Sequence, residues 1–324
     1  MSARWQLPWG EPGSAKRVAA LRILIGGFAV FYLLSRFSDF TNMSAMAAWQ
    51  FSPVGAAVVL REPLPQAAVV ATTVVAILLG ALFTLGVRYR VVAPAFALSL
   101  LWITSYRNSW GMLFHTDNLL LLHVLLLAAA PAADAYSLGA PPRAQGVVDA
   151  SGVAQVPRYG WAVGALCVIT VVTYLVAGVA KLKLAGLGWL EGEQLRGQIA
   201  YDNLRKIELG RGPSALGVWF VRHPALFPPL AVLTLLVELG APLALLHRRA
   251  ALVWAIGAWC FHVGVVATMS IKFPYPLSFV PYLAFFRLER WEETKLGRRL
   301  VNALRAALAR SPAPEHETAR APQQ

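Results

Sequence analysis

Cysteine is nearly absent. Cys167 and Cys260 are the only two in 324 residues, and neither has a second Cys or His at metal-ligand spacing. A disulfide framework and a zinc site are therefore not expected, and both thiols read as buried small hydrophobes. Charge is scarce as well: Asp, Glu, Lys and Arg make up 14% of the chain, with 16 acidic against 29 basic residues. The net charge of +13 does not imply nucleic acid, because the basic residues flank apolar runs instead of forming a face interleaved with aromatics. No GxxxxGK[ST] loop and no tandem repeat occur, which argues against a nucleotide-driven pump or a solenoid. The first apolar run, "AALRILIGGFAVFYLLSRF", has no small-residue cleavage site behind it and is expected to stay as a first span.

Apolar sequence is abundant instead. Hydrophobic residues reach 57% and the mean hydropathy is +0.56, which predicts an all-α, polytopic transmembrane helix bundle. Apolar windows fall near 18–36, 66–87, 91–106, 117–133, 161–181, 226–246, 250–270 and 274–287, giving about eight spans, within a range of roughly seven to nine. The third carries Pro94 and the eighth three prolines, residues that kink or interrupt helices. "RYR" at 88–90 and "HRR" at 247–249 close short hairpins, and short basic loops stay in the cytoplasm. A multi-pass protein of the cell membrane follows, with both termini cytoplasmic and the long 182–226 segment outside. Residues 1–290 form the transmembrane domain. Residues 291–310 read as an amphipathic cytoplasmic helix on the inner leaflet, and 311–324 as a disordered tail.

Ionisable residues at membrane depth are costly, so each is a functional candidate. His115 and Asn118 open a Leu-rich segment and lie about 60° apart on a helix, facing one pocket. A satisfied structural histidine is the alternative for His115, and a helix cap for Asp117. Thr170, Tyr174, Gly178 and Lys181 follow steps of four, four and three residues and share one helical face. Lys181 at the end of that stripe can serve as a desolvated base, or as a snorkelling anchor or topology signal; Lys183 points elsewhere and suits snorkelling better. Glu238 sits mid-span ahead of Pro242, and His262 in a later span. The expected catalytic set is Lys181, His115 and His262, with Asn118, Tyr174, Glu238 and Trp110 lining a substrate or cofactor pocket, and no metal.

Three segments, "SWGMLFHTDNLLLLHVLLLAAAPAADAYS", "YLVAGVAKLKLAGLGWLEGEQL" and "FHVGVVATMSIKFPYPLSFVPYLAFF", resemble in content and order the signature regions of the HTTM (horizontally transferred transmembrane) family. That family includes the membrane part of vitamin K-dependent gamma-carboxylase, and the likeness spans roughly residues 15–290. It implies a base at Lys181, which matches the second lysine of the carboxylase's lysine pair, and histidines at His115 and His262. It implies a reduced quinone of the vitamin K type as cofactor, deprotonated by the lysine on the way to carboxylating glutamate. Ala180 departs from the lysine pair. The long propeptide-binding region of the animal enzyme has no counterpart in this sequence, so recognition of that kind is not expected. Smaller bacterial relatives include a membrane protein needed to mature an exported toxin. Three readings stay open: a carboxylase-like lyase or quinol-linked oxidoreductase acting on a peptide or lipid; a non-catalytic maturation factor, with or without a partner chain; and a small-molecule transporter, which would show paired repeats with broken helices.

Overall fold

The computed structural model describes residues 13–138, 147–148 and 154–293. Its longer helices are α1 (Ala15–Ser35), α2 (Gln66–Leu85), α3 (Tyr89–Asn108), α4 (His115–Ala129), α5 (Pro157–Ala185), α6 (Glu193–Glu208), α7 (Ala215–Val221), α8 (Phe227–Leu239) and α9 (Arg248–Met269). A two-residue antiparallel pairing, Val147–Val148 with Ala154–Gln155, is the only sheet among the described residues. By length and composition α1, α2, α5 and α9 can each cross a membrane, and α7 with α8 would make a fifth crossing if the bent pair is one span. The exterior agrees with such an environment: Val91 and Val253 are each 71% exposed, whereas Arg22, Asp117, His123 and Glu238 are buried. Apolar groups face outward and polar groups inward, as a lipid solvent requires.

Contacts sort the helix termini into two ends. At one, Arg22 donates from its buried guanidinium to Ala132 O at 2.8 Å and Tyr136 O at 2.5 Å, Arg17 donates to Ala284 O at 2.7 Å, and Tyr89 Oη donates to Leu127 O at 2.7 Å. The Gly13 and Val156 backbones pair there too. At the opposite end, Ser52 N donates to Ser109 O at 2.8 Å and Leu64 N to Tyr106 Oη at 3.2 Å. Pro94 does not break α3, since it stands in the second turn and removes only the bond to the Arg90 carbonyl.

The 274–287 window is interrupted where its prolines fall: it is a turn of helix, Pro274–Leu277, and a 3-10 stretch, Val280–Phe285, with Phe279 between them at φ 65°. Its prolines lack the N–H groups that a continuous helix needs. Cys260 is exposed on the apolar face of α9, while Cys167 is buried as expected. Beyond residue 293 the expected amphipathic helix over 291–310 and the expected tail over 311–324 lie outside the described residues.

Helices α6 and α7 sit on the C-terminal end of α9. A helix leaves its last carbonyls without intrahelical partners, and here three are taken by side chains of the 193–214 segment. Ser214 Oγ donates to Ala267 O at 2.5 Å, Asn203 Nδ2 to Thr268 O at 3.0 Å, and Lys206 Nζ to Met269 O. Lys206, held by Asp202, also places a cation at the negative end of the helix.

Candidate functional site

The polar face of α5 is used at every predicted position. Thr170 Oγ1 lies 3.1 Å from His123 Nε2, and His123 Nδ1 lies 2.7 Å from Tyr275 Oη. One turn on, Tyr174 Oη lies 2.7 Å from His262 Nε2 and also bonds Tyr282 Oη. At Gly178 the bare backbone lets α8 close in, since a Cβ there would meet Leu239 Cδ2 at 2.8 Å and Glu238 Cβ at 3.0 Å. Lys181 Nζ then donates to Glu238 Oε1 at 2.5 Å and lies 5.4 Å from the Trp189 ring centroid.

Burial explains the partners. Glu238 is 2% exposed, and an unneutralised carboxylate there would cost several kcal/mol. Lys181 supplies the counter-charge while its own side chain stays 23% exposed, so it spans from the interior to the surface. Lys183, two residues later, is exposed. Within this cluster two buried polar atoms have no hydrogen-bond partner, Glu238 Oε2 and His262 Nδ1. Groups so placed are exceptions in folded proteins and mark positions where a ligand or water can bond.

His115 joins indirectly. Its exposed ring is 6.5 Å from Phe273, whose other neighbour is His262 at 5.1 Å between centroids. One aromatic side chain therefore separates the two histidines. Asn118 is exposed one turn further along α4. Trp110 is not brought to this cluster: it packs on Phe51 and Tyr106 at 5.1 and 6.0 Å. Asp117 does not cap α4, whose cap position is Phe114 with no side-chain bond. It is buried in an ion pair with Arg107 at 3.0 Å and accepts from Tyr32 Oη at 2.6 Å. Among the described residues no group of three or more His, Cys, Asp or Glu could hold a metal ion.

Tyr282, Tyr275 and Phe273 were not anticipated. All three come from the broken 273–285 stretch, and the signal was its prolines. A non-helical backbone at membrane depth must be buried within protein, so its aromatic side chains face the interior, where α4, α5 and α9 present their polar groups. The arrangement sets three hydrogen-bonded groups along one face of α5, each with a member that can hold or release a proton, and Phe273 stands beside His262.

Against known sequences, the pattern of the HTTM domain matches residues 11–291. No curated protein and no solved structure matches the chain.

Proposed function

Because the chain belongs to the HTTM domain family and is a membrane protein by its apolar helices, we propose that it is a multi-pass enzyme of the cell membrane in which Lys181 acts as a general base. The observation that supports this most is the 2.5 Å pair between Lys181 Nζ and the buried Glu238, because that carboxylate can take the ammonium proton, which removes a charge from the interior and leaves the amine neutral and basic. A snorkelling or topology lysine needs no carboxylate inside the bundle, and Lys183 already stands exposed for that purpose. Glu238 fixes the amine, and Trp189 covers it. Tyr174 joins the stripe to His262, whose free Nδ1 can exchange a proton with a bound group.

The cofactor we assign is a reduced quinone of the vitamin K type; what supports it is two rings, Phe273 beside His262 and Trp189 beside Lys181, and two unpaired polar atoms, Glu238 Oε2 and His262 Nδ1. Bound there, such a ring supplies an acidic hydroxyl and reducing electrons. His115 and Asn118, exposed at the start of α4, are assigned to the substrate side, where a peptide or lipid would enter. Carboxylation or a related base-initiated reaction is the class of chemistry that follows.

The chain is taken to cross the membrane eight times, with 274–287 as a broken eighth crossing and both termini in the cytoplasm. Transport is the second reading, favoured by one feature: Ala215–Val221 and Pro224–Leu239 meet at 98°, and discontinuous helices are common in transporters. Lys181→Arg separates the two. Arginine keeps the charge and the ion pair but does not give up its proton, so a deletion strain should be rescued by wild type and by Lys183→Arg but not by Lys181→Arg. Full rescue by Lys181→Arg defeats lysine base chemistry.

A further inference from the structure

A cleft of about 450 Å³ opens at the start of α9, lined by His247, Arg248, Arg249, Leu252 and Phe286. Its rim is basic. Arg248 and Arg249 are exposed, and neither has a carboxylate partner among the described residues. His247 Nδ1 accepts from Arg249 N at 3.1 Å, so Nε2 is left for a ligand. Its floor is apolar: Leu252 is 46% exposed, and the Phe286 ring stacks on Phe279 at 6.2 Å.

Rim and floor follow one another along a helix that crosses the membrane. Leu252 lies four residues beyond Arg248, a rise of about 6 Å, so the charges stand at the boundary of the hydrocarbon and the floor lies just inside it. A small anion would satisfy the guanidinium groups but leave the floor uncovered. An occupant with a negative head joined to an apolar body satisfies both, and arginine is the side chain best suited to a phosphate. Basic residues that serve only as topology signals need no cleft. Arg88 and Arg90 supply that contrast, being exposed in the other short loop at the same end of the bundle.

We propose that this cleft is a binding site for an anionic phospholipid, its phosphate on Arg248 and Arg249 and an acyl chain along Leu252 and Phe286. The site is independent of Lys181 and of the reaction assigned to it.

The full chain, purified from membranes containing phosphatidylglycerol and phosphatidylcholine, is delipidated stepwise in detergent, and the retained lipid is counted by native mass spectrometry. Phosphatidylglycerol should be held preferentially. The double variant Arg248→Gln/Arg249→Gln should lower its retention roughly thirtyfold, the scale of two phosphate contacts of about 1 kcal/mol each near a membrane surface. Leu252→Trp, which keeps both charges and fills the floor, should lower it as well, and remains decisive if the double variant fails to insert. Arg88→Gln/Arg90→Gln should leave it unchanged. Equal loss from both double variants would reduce the effect to surface charge and overturn the site. So would indifference between the two lipids, and so would displacement by millimolar inorganic phosphate with Leu252→Trp unaffected, which would make it a free-phosphate site.

Discussion

Asp117 and Arg107 bring opposite charges into the interior, and each relies on the other. Arg107 also lies over the Phe114 ring, 3.6 Å from its centroid, and bonds Tyr32 Oη. Removing one partner leaves an uncompensated buried charge, so Asp117→Asn should destabilise by about 3–5 kcal/mol, read as a fall in the temperature at which the detergent-solubilised protein leaves its monodisperse peak. Replacing both residues together by apolar side chains of similar size should recover most of that loss; no recovery would mean that the pair does more than neutralise itself. Tyr174→Phe is milder. It strips one hydroxyl from between His262 and Tyr282, and a lost hydrogen bond of this buried kind costs about 1–3 kcal/mol. An unchanged unfolding temperature would show that the two partners bond each other or water instead.

At the scale of elements, two of the glycines at close helix contacts bear on the site and its outer cover. Gly217 of α7 stands so close to α9 that a Cβ would come within 2.0 Å of Thr268 O. A backbone carbonyl cannot step aside as a flexible side chain can. Gly217→Ala should therefore lift α7 off α9, expose the carbonyls that Ser214 and Asn203 occupy, and render the 186–226 segment sensitive to added protease while the other helices stay protected. Protection equal to wild type would show that α7 re-docks at no cost. Gly178→Val acts between α5 and α8, where the first contacts are the ends of Leu239 and the stem of Glu238. Overpacking of this kind costs about 1–3 kcal/mol, and it should weaken the Lys181–Glu238 pair without touching either residue. The broken 274–285 stretch belongs at this scale too. It keeps its place because Thr170, Tyr174 and His123 bind it from the side, and helical propensity contributes little to it.

For the whole molecule, the eight crossings we propose would require both termini and both short basic hairpins on one side, with the 182–226 segment opposite. A single cysteine at Arg248 should react with an impermeant maleimide only after the inner face is opened, and one at Lys183 from the outside; the reverse pattern would invert the orientation. Membrane class, most helix positions and the α5 stripe were legible in the sequence, because hydropathy and the 3.6-residue period are local properties carried by consecutive residues. So was the different facing of Lys181 and Lys183, since two residues along a helix turn a side chain to another face. Pairing was not legible. Nothing local says that Glu238 meets Lys181, that Asp117 meets Arg107 instead of capping its own helix, that Trp110 packs on Phe51, or that Cys260 faces outward. Those outcomes depend on which helices become neighbours and how each is rotated about its axis, and that is decided when close approach at Gly178 and Gly217 and the need to neutralise buried charge are satisfied together. The sequence by itself determined a membrane bundle with a polar stripe ending in lysine; only the tertiary structure decided that a carboxylate from a distant helix waits at the end of it.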